Sequence, residues 1–309
     1  MSVVFLFPGQ GSQQTGMLHQ LPDHPVIEAT FHEASEVLKE DLEMLDSEKS
    51  LSSTVAVQLA LLISGVAAAR ALQAEGASPD WVAGHSVGAF SAAVISNVLE
   101  FKDALQLVKL RATLMENAYP RGYGMGVVTG LHERRLVEMI EKEFTRAEPV
   151  YMANLNAPQQ ITVAGAIAGL ERVFAAARLS GARMARLLNV SVPSHCPLLN
   201  RVSDELMAAL ERTALREPTV PYAANVNART LNNAAVIRKD LALSVAKPVR
   251  WHDATTLLYE RGARLFVEMS PGHVLTDLSA AAFPNARSIS FSKSGLEDAK
   301  ILILRERGS

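Results

Sequence analysis

The stretch Trp81-Val82-Ala83-Gly84-His85-Ser86-Val87-Gly88-Ala89-Phe90 decides the fold. A short apolar strand around Trp81 to Ala83 runs into Gly84-His85-Ser86-Val87-Gly88, and an Ala-rich helix follows. Strand, Gly-x-Ser-x-Gly and helix in that order form the setting of a nucleophile elbow, a sharp turn that lifts a serine oxygen above a sheet. Glycines at 84 and 88 leave room for such a turn. Ser86 would then sit at a helix N-terminus, where free N–H groups, including that of Val87, point toward developing negative charge. A glycine-rich turn without chemistry carries the same pattern, so the surrounding chain has to decide.

Toward the N-terminus, the apolar run Met1 to Phe7 stops at Pro8-Gly9-Gln10-Gly11-Ser12, too soon and without the basic flank of a signal peptide. It reads as a buried parallel strand entering a tight turn. Pro25 to Leu45 reads as an amphipathic helix. Val55 to Leu72 has membrane-like length but contains Gln58, Ser64, Gly65 and Arg70, which predicts a buried helix capped by Ser52, Ser53 or Thr54. Lys102 to Ala118 is a further helix, ended by Pro120, with Gly122 to Gly126 as a hinge or junction turn.

Beyond it the rhythm changes. Met125 to Thr129 reads as strand, Glu133 to Phe144 as helix, Val150 to Leu155 and Gln160 to Ala164 as strands turning at Asn156-Ala157-Pro158, Ile167 to Leu179 as helix, and Arg183 to Leu188 as strand. This order, βαββαβ, is the ferredoxin-like split unit. From Ser191 the α/β pattern resumes, with a helix near Leu198 to Thr213, strands near Val220 to Val226 and Leu265 to Met269, and a helix after Pro271-Gly272. The expected architecture is a large α/β domain of residues 1–123 and 191–309 with an inserted α+β domain at 124–190.

Composition excludes several function classes. Of 309 residues, 49% are hydrophobic and 20% charged, which supports a sizeable core and argues against disorder. A lone cysteine, Cys196, permits no intramolecular disulfide and no cysteine zinc cage, and fits a reducing, cytoplasmic compartment. A net charge of −2 lacks the basic excess of a protein that neutralises many phosphates, so no nucleic-acid partner is expected, and no membrane partner either. The charge is unevenly divided: residues 1–100 hold 3 Lys/Arg against 12 Asp/Glu, and the remainder 27 against 20. Residues 121–190 hold 9 against 6, with Arg134, Arg135, Arg172, Arg178, Arg183 and Arg186 as candidates to dock an acidic partner. Gly122 to Gly126 does not complete G-x-G-x-x-G, and no Gly-Lys dipeptide offers a phosphate loop.

A serine needs a base, and the chain has eight histidines. His85 adjoins Ser86 and points away from its hydroxyl, while His19, His24 and His32 lie in or before a polar helix. His195 stands apart, held between Pro193 and Pro197 on a loop that leads into a helix. On the 102–118 helix, Ala104, Leu107, Val108, Met115 and Ala118 form an apolar stripe with Arg111 in its middle. A guanidinium there snorkels, pairs with an internal carboxylate or awaits an anionic ligand. Beside a reactive serine it would suit a substrate carboxylate, gripped by two parallel hydrogen bonds.

Phe7-Pro8-Gly9-Gln10-Gly11-Ser12-Gln13, Gly84-His85-Ser86-Val87-Gly88, Arg111, Asn156-Ala157-Pro158, Ser191-Val192-Pro193-Ser194-His195-Cys196, Pro248-Val249-Arg250-Trp251 and Pro271-Gly272 follow in that order. Together they resemble the malonyl-CoA:acyl carrier protein transacylase family. The resemblance implies an α/β-hydrolase-like large domain with a ferredoxin-like insertion, Ser86 as acylated nucleophile and His195 as base. It also implies backbone N–H groups of Gln10 and Val87 as oxyanion donors and Arg111 as ligand of the malonyl carboxylate, with Gln58 and Asn156 in support. Position 250 is usually glutamine and orients the histidine through its carbonyl, a role Arg250 keeps on this reading. Malonyl-CoA is implied as substrate and an acyl carrier protein as partner, with no metal and no bound cofactor. Ala89 and Leu59 depart from the glutamate and proline common in the family. With Val87 and Phe90 they resemble the epsilon subunit of malonate decarboxylase, whose carrier bears a phosphoribosyl-dephospho-CoA group. The alternatives are a housekeeping transacylase of fatty-acid or polyketide synthesis, a non-catalytic carrier-docking subunit, and a serine thioesterase or other hydrolase using His252 or His273 with Asp240 or Asp253.

Overall fold

The computed structural model describes residues 2–119 and 121–308. Met1, Pro120 and Ser309 lie outside the described residues, and with them the expected start of the first strand and the proline expected to end the 102–118 helix. The strands are β1 (Ser2–Phe7), β2 (Trp81–Gly84), β3 (Tyr123–Thr129), β4 (Val150–Ala157), β5 (Gln160–Ala166), β6 (Met184–Leu187), β7 (Tyr222–Ala223), β8 (Thr230–Leu231), β9 (Ala263–Glu268) and β10 (Arg287–Ser290). The helices are α1 (Pro25–Leu38), α2 (Thr54–Ala74), α3 (Gly88–Ile95), α4 (Phe101–Ala118), α5 (Glu133–Glu143), α6 (Ile167–Leu179), α7 (Asn200–Glu211), α8 (Ala234–Leu243), α9 (Trp251–Glu260), α10 (Val274–Ala282) and α11 (Phe291–Glu306).

Two sheets result. The larger has the order β10-β9-β1-β2-β7-β8, parallel except where β8 runs against β7. β1 lies inside it with Val3 to Phe7 buried on both faces, the reason its sequence is continuously apolar rather than alternating. The smaller sheet is antiparallel, order β4-β5-β3-β6. With α5 and α6 it follows the βαββαβ order and holds its own core around Val128, Leu136, Val163, Leu170 and Phe174. The small sheet is tied by backbone to the segment that leads into α9: the Leu155 N–H donates to the Val249 carbonyl at 2.8 Å, and the Val249 N–H to the Ala153 carbonyl at 2.8 Å.

The 21-residue helix α2 is long and apolar enough to cross a membrane, yet its apolar stretch is buried inside the protein. Ser53 caps it, its Oγ accepting from the Val55 N–H at 3.2 Å. Glu116 of α4 adds a second cap, its Oε1 accepting from the Thr54 N–H at 2.8 Å and the Ser53 hydroxyl at 3.1 Å. That bond fixes α2 along α4.

Several boundaries differ from expectation. The first helix ends at Leu38 because Lys39 turns left-handed (φ 55°), and a single 3-10 turn, Leu42–Met44, follows. The strand expected at 220–226 is paired only over Tyr222–Ala223. Gly124 and Gly126 are not a hinge but part of β3; a Cβ on Gly126 would come within 2.1 Å of the Phe174 ring, so glycine serves close packing of α6 on the sheet.

Candidate active site

The elbow forms where β2 runs out. A Cβ on Gly84 would lie 2.1 Å from the Gly88 carbonyl group, and one on Gly88 would lie 2.2 Å from the Phe7 carbonyl oxygen. Only bare backbone allows α3 to start this close to β1 and β2. Between the glycines Ser86 takes φ 57°, the left-handed region that an L side chain seldom adopts.

His195 also has positive φ, 63°, on the loop before α7. Its N–H donates to the Val245 carbonyl at 2.8 Å, and its Nδ1 lies 2.5 Å from the Ser244 carbonyl oxygen. A carbonyl only accepts, so Nδ1 carries the proton and Nε2 presents its lone pair. Ser86 Oγ lies 2.8 Å from that Nε2. Burial above all, with the nearby Arg111 charge, pulls the imidazole down to about 3, so it is neutral at pH 7. The orienting carbonyl therefore belongs to Ser244, not Arg250. The Arg250 carbonyl instead accepts from the Ala254 N–H in the first turn of α9, and its guanidinium pairs with Asp253 at 2.5 Å and Glu133 at 3.8 Å.

Arg111 is fully buried, as its place on the apolar stripe of α4 requires. No described carboxylate pairs with it. Its Nη1 donates to Gln58 Oε1 at 2.5 Å, its Nη2 donates to Ser86 Oγ at 3.2 Å, and its Nε has no partner among the described residues. Burial lowers its pKa to about 10, which leaves it charged at neutral pH. Gln58 in turn donates Nε2 toward the Met115 sulfur at 3.7 Å. An anion entering here meets a positive charge already desolvated.

The cleft over Ser86 lies between the two sheets, with Gln10 on one side and Asn154, Asn156 and Thr162 of the small sheet on the other. Asn156 Oδ1 lies 3.0 Å from His85 Nε2, so His85 faces the small sheet and not the Ser86 hydroxyl. Asn154 Oδ1 and Thr162 Oγ1 are buried there without a partner among the described residues. Gln10 lines the cleft, and Val87 is buried as the N-cap residue of α3; neither backbone N–H donates to an acceptor among the described residues. Asn225, which sequence reading passed over, accepts from the Ser86 N–H at 3.0 Å and donates to the Gly84 carbonyl at 2.9 Å.

The groups cast for a hydrolase, His252, His273, Asp240 and Asp253, do not line the cleft over Ser86. Asp240 accepts from Tyr222 and from two backbone N–H groups, Asp253 pairs with Arg250, and His273 pairs with Asp277 at 2.8 Å. Among the described residues no three His, Cys, Asp or Glu side chains gather to hold a metal ion. Burial raises the Cys196 thiol to about 12, and its Sγ–H points at the Pro193 carbonyl, so it carries no reactivity. Of the docking arginines, Arg134 and Arg135 pair with Glu138, and Arg172 pairs with Glu148.

A serine–histidine pair on an elbow of a mostly parallel sheet, with a buried guanidinium beside it, defines an α/β protein of the acyl-transfer class. The chain belongs to the acyl transferase domain family, whose model matches residues 4–302. It is 38% identical over 281 residues to a malonyl CoA-acyl carrier protein transacylase of Salmonella typhimurium, covering 89% of this chain and 91% of that one. Its fold is similar to the solved structure of the malonyl CoA-acyl carrier protein transacylase from Coxiella burnetii, with a TM-score of 0.93 and 34% identity over 99% of this chain and 98% of that one. A malonyl-transacylase solved in complex with its type II PKS acyl-carrier protein gives a TM-score of 0.92 at 36% identity, covering 99% and 100%.

Proposed function

We propose that this protein moves a malonyl group from coenzyme A to the thiol of an acyl carrier protein through an ester on Ser86. The observation that carries this reading is Arg111: a buried guanidinium 3.2 Å from Ser86 Oγ with no carboxylate partner among the described residues selects an acyl group that brings one. His195 Nε2 accepts the Ser86 proton as Oγ bonds to the thioester carbonyl carbon. The carbon–sulfur bond then breaks, and the imidazolium returns the proton to the departing thiolate. A carrier thiol attacks the ester by the same steps in reverse, His195 taking its proton and giving it to Ser86. The N–H groups of Gln10 and Val87 receive the oxyanion in both halves, a contribution on the order of 10²- to 10³-fold per donor. These steps draw on protein groups, the malonyl thioester and the carrier thiol.

The deciding experiment is to incubate the protein with malonyl-CoA and weigh it intact. A malonyl adduct on wild type that is absent from Ser86→Ala supports the reading, whereas no adduct, or an equal one on the variant, overturns it. Adding a carrier then separates acceptors, since free malonate as the main product would mean water and a hydrolase. For the acceptor we propose the carrier subunit of a malonate decarboxylase. What supports this is Ala89 and Leu59, both buried where the resemblance commonly has glutamate and proline. A higher kcat/KM with a fatty-acid carrier than with a carrier bearing phosphoribosyl-dephospho-CoA would refute it.

A further inference from the structure

Asn225 has every polar group committed around the elbow. Its Oδ1 accepts from the Ser86 N–H at 3.0 Å, and its Nδ2 donates to the Gly84 carbonyl at 2.9 Å. Its own N–H donates to Asp240 Oδ2 at 3.0 Å, and its carbonyl accepts from the Arg250 N–H at 2.8 Å. Asp240 is buried and also takes the Tyr222 hydroxyl at 2.8 Å and the Val226 N–H at 2.9 Å. The ladder between β2 and β7 stops at Ala83 and Ala223. Past that point β1 still flanks the elbow, its Phe7 carbonyl accepting from the His85 N–H at 2.9 Å, but on the β7 side the elbow has no strand partner, and the Ser86 N–H and Gly84 carbonyl are left to satisfy inside the protein.

We infer that Asn225, held by Asp240, is a positioning residue for the nucleophile: its side-chain amide stands in for the missing strand and locks Ser86 at φ 57°. An amide fits because it offers one acceptor and one donor in one plane, matching an N–H and a C=O two residues apart. Ser86 Oγ bonds to His195 and Arg111 and not to Asn225, which does not line the cleft. Its effect reaches the chemistry through the backbone: with the Ser86 N–H and Gly84 carbonyl released, the strained φ relaxes and Oγ leaves its line to His195.

The test rests on Ser86 being the reactive group and includes a readout independent of malonyl transfer. Acylation by malonyl-CoA and labelling of Ser86 by phenylmethylsulfonyl fluoride are measured on wild type, Asn225→Ala, Asn225→Asp and Tyr222→Phe, with Tm for each. Asn225→Ala is expected to lose about 100-fold in acylation kcat and in the labelling rate, with KM within about twofold, the scale of a misplaced nucleophile. Asn225→Asp keeps the size of the side chain and an acceptor for the Ser86 N–H but not the donor to Gly84, and is expected to lose about tenfold; it carries the test if the alanine variant does not fold. Tyr222→Phe removes a bond to Asp240 only, and is expected to lower Tm while both rates stay within about threefold. Unchanged rates in the Asn225 variants, or rates that follow Tm alike in all variants, overturn the inference. A wild type labelled by the sulfonyl fluoride but not by malonyl-CoA would refute the malonyl reading and leave the positioning role standing.

Discussion

Burial, and after it the Arg111 charge, hold the His195 imidazole down to about 3, so the group we propose as acceptor of the Ser86 proton is already unprotonated across the neutral and mildly acidic range. The acylation kcat/KM is therefore expected to stay level from pH 7 down to about pH 5, and a steep fall centred near 6.5, the free histidine value, would contradict the buried geometry. The stability consequence has a definite sign. The folded pKa lies below the unfolded one, so the unfolded chain binds more protons between about 6.5 and 3, and the stability present above 6.5 is lost as pH falls toward 3. His195→Ala is expected to flatten that part of a Tm-against-pH curve. A carboxylate seated on Arg111 offsets the charge that depresses the imidazole, so substrate itself strengthens the base. Arg111→Ala is expected to cost malonyl transfer on the order of 100-fold and acetyl transfer less than about tenfold; equal losses for the two acyl groups would remove its role in selection.

At the scale of elements, the elbow is set by backbone proximity. Gly88→Ala places a methyl group 2.2 Å from the Phe7 carbonyl, where neither β1 nor α3 has room to give. A loss of about 3 kcal/mol or more and no Ser86 labelling are expected from denaturant unfolding and a labelling assay, and a stable, active variant would show the turn to be adaptable. This element was legible in the sequence because strand, glycines and helix are consecutive, and so was the βαββαβ order of the small sheet. Arg111 was legible for a similar reason, since helical periodicity alone places it inside. Gln58 is named in support by the resemblance alone, and its hydrogen bond to Arg111 was not legible, because the register of α2 on α4 is set by Glu116 capping a helix more than 60 residues earlier. Gly126 misled because glycine marks a turn and a tightly covered strand alike, and Phe174, on a helix some 50 residues later, separates the two.

Across the whole molecule, contacts of long sequence separation complete the site. Ser86 and Asn225 are 139 residues apart, and His195 and Ser244 are 49 apart, with no periodicity or motif linking either pair. The family resemblance places the orienting carbonyl at position 250, whereas in the fold that carbonyl closes the first turn of α9. The Arg250 side chain forms half-exposed ion pairs with Asp253 and Glu133, so Arg250→Gln is expected to leave acylation within about twofold and stability within about 1 kcal/mol; a tenfold loss would show that its guanidinium supports the site. The unpartnered Nε of Arg111 has a last consequence, one of heat rather than rate. A buried donor without an acceptor costs about 1 to 3 kcal/mol, and a malonyl ester on Ser86 brings a carboxylate into reach. The empty protein is then its own least stable form: loading with malonyl should raise the melting temperature by a few degrees, and loading with acetyl should not. A cell depleted of malonyl thioesters would hold this enzyme in the state most readily unfolded.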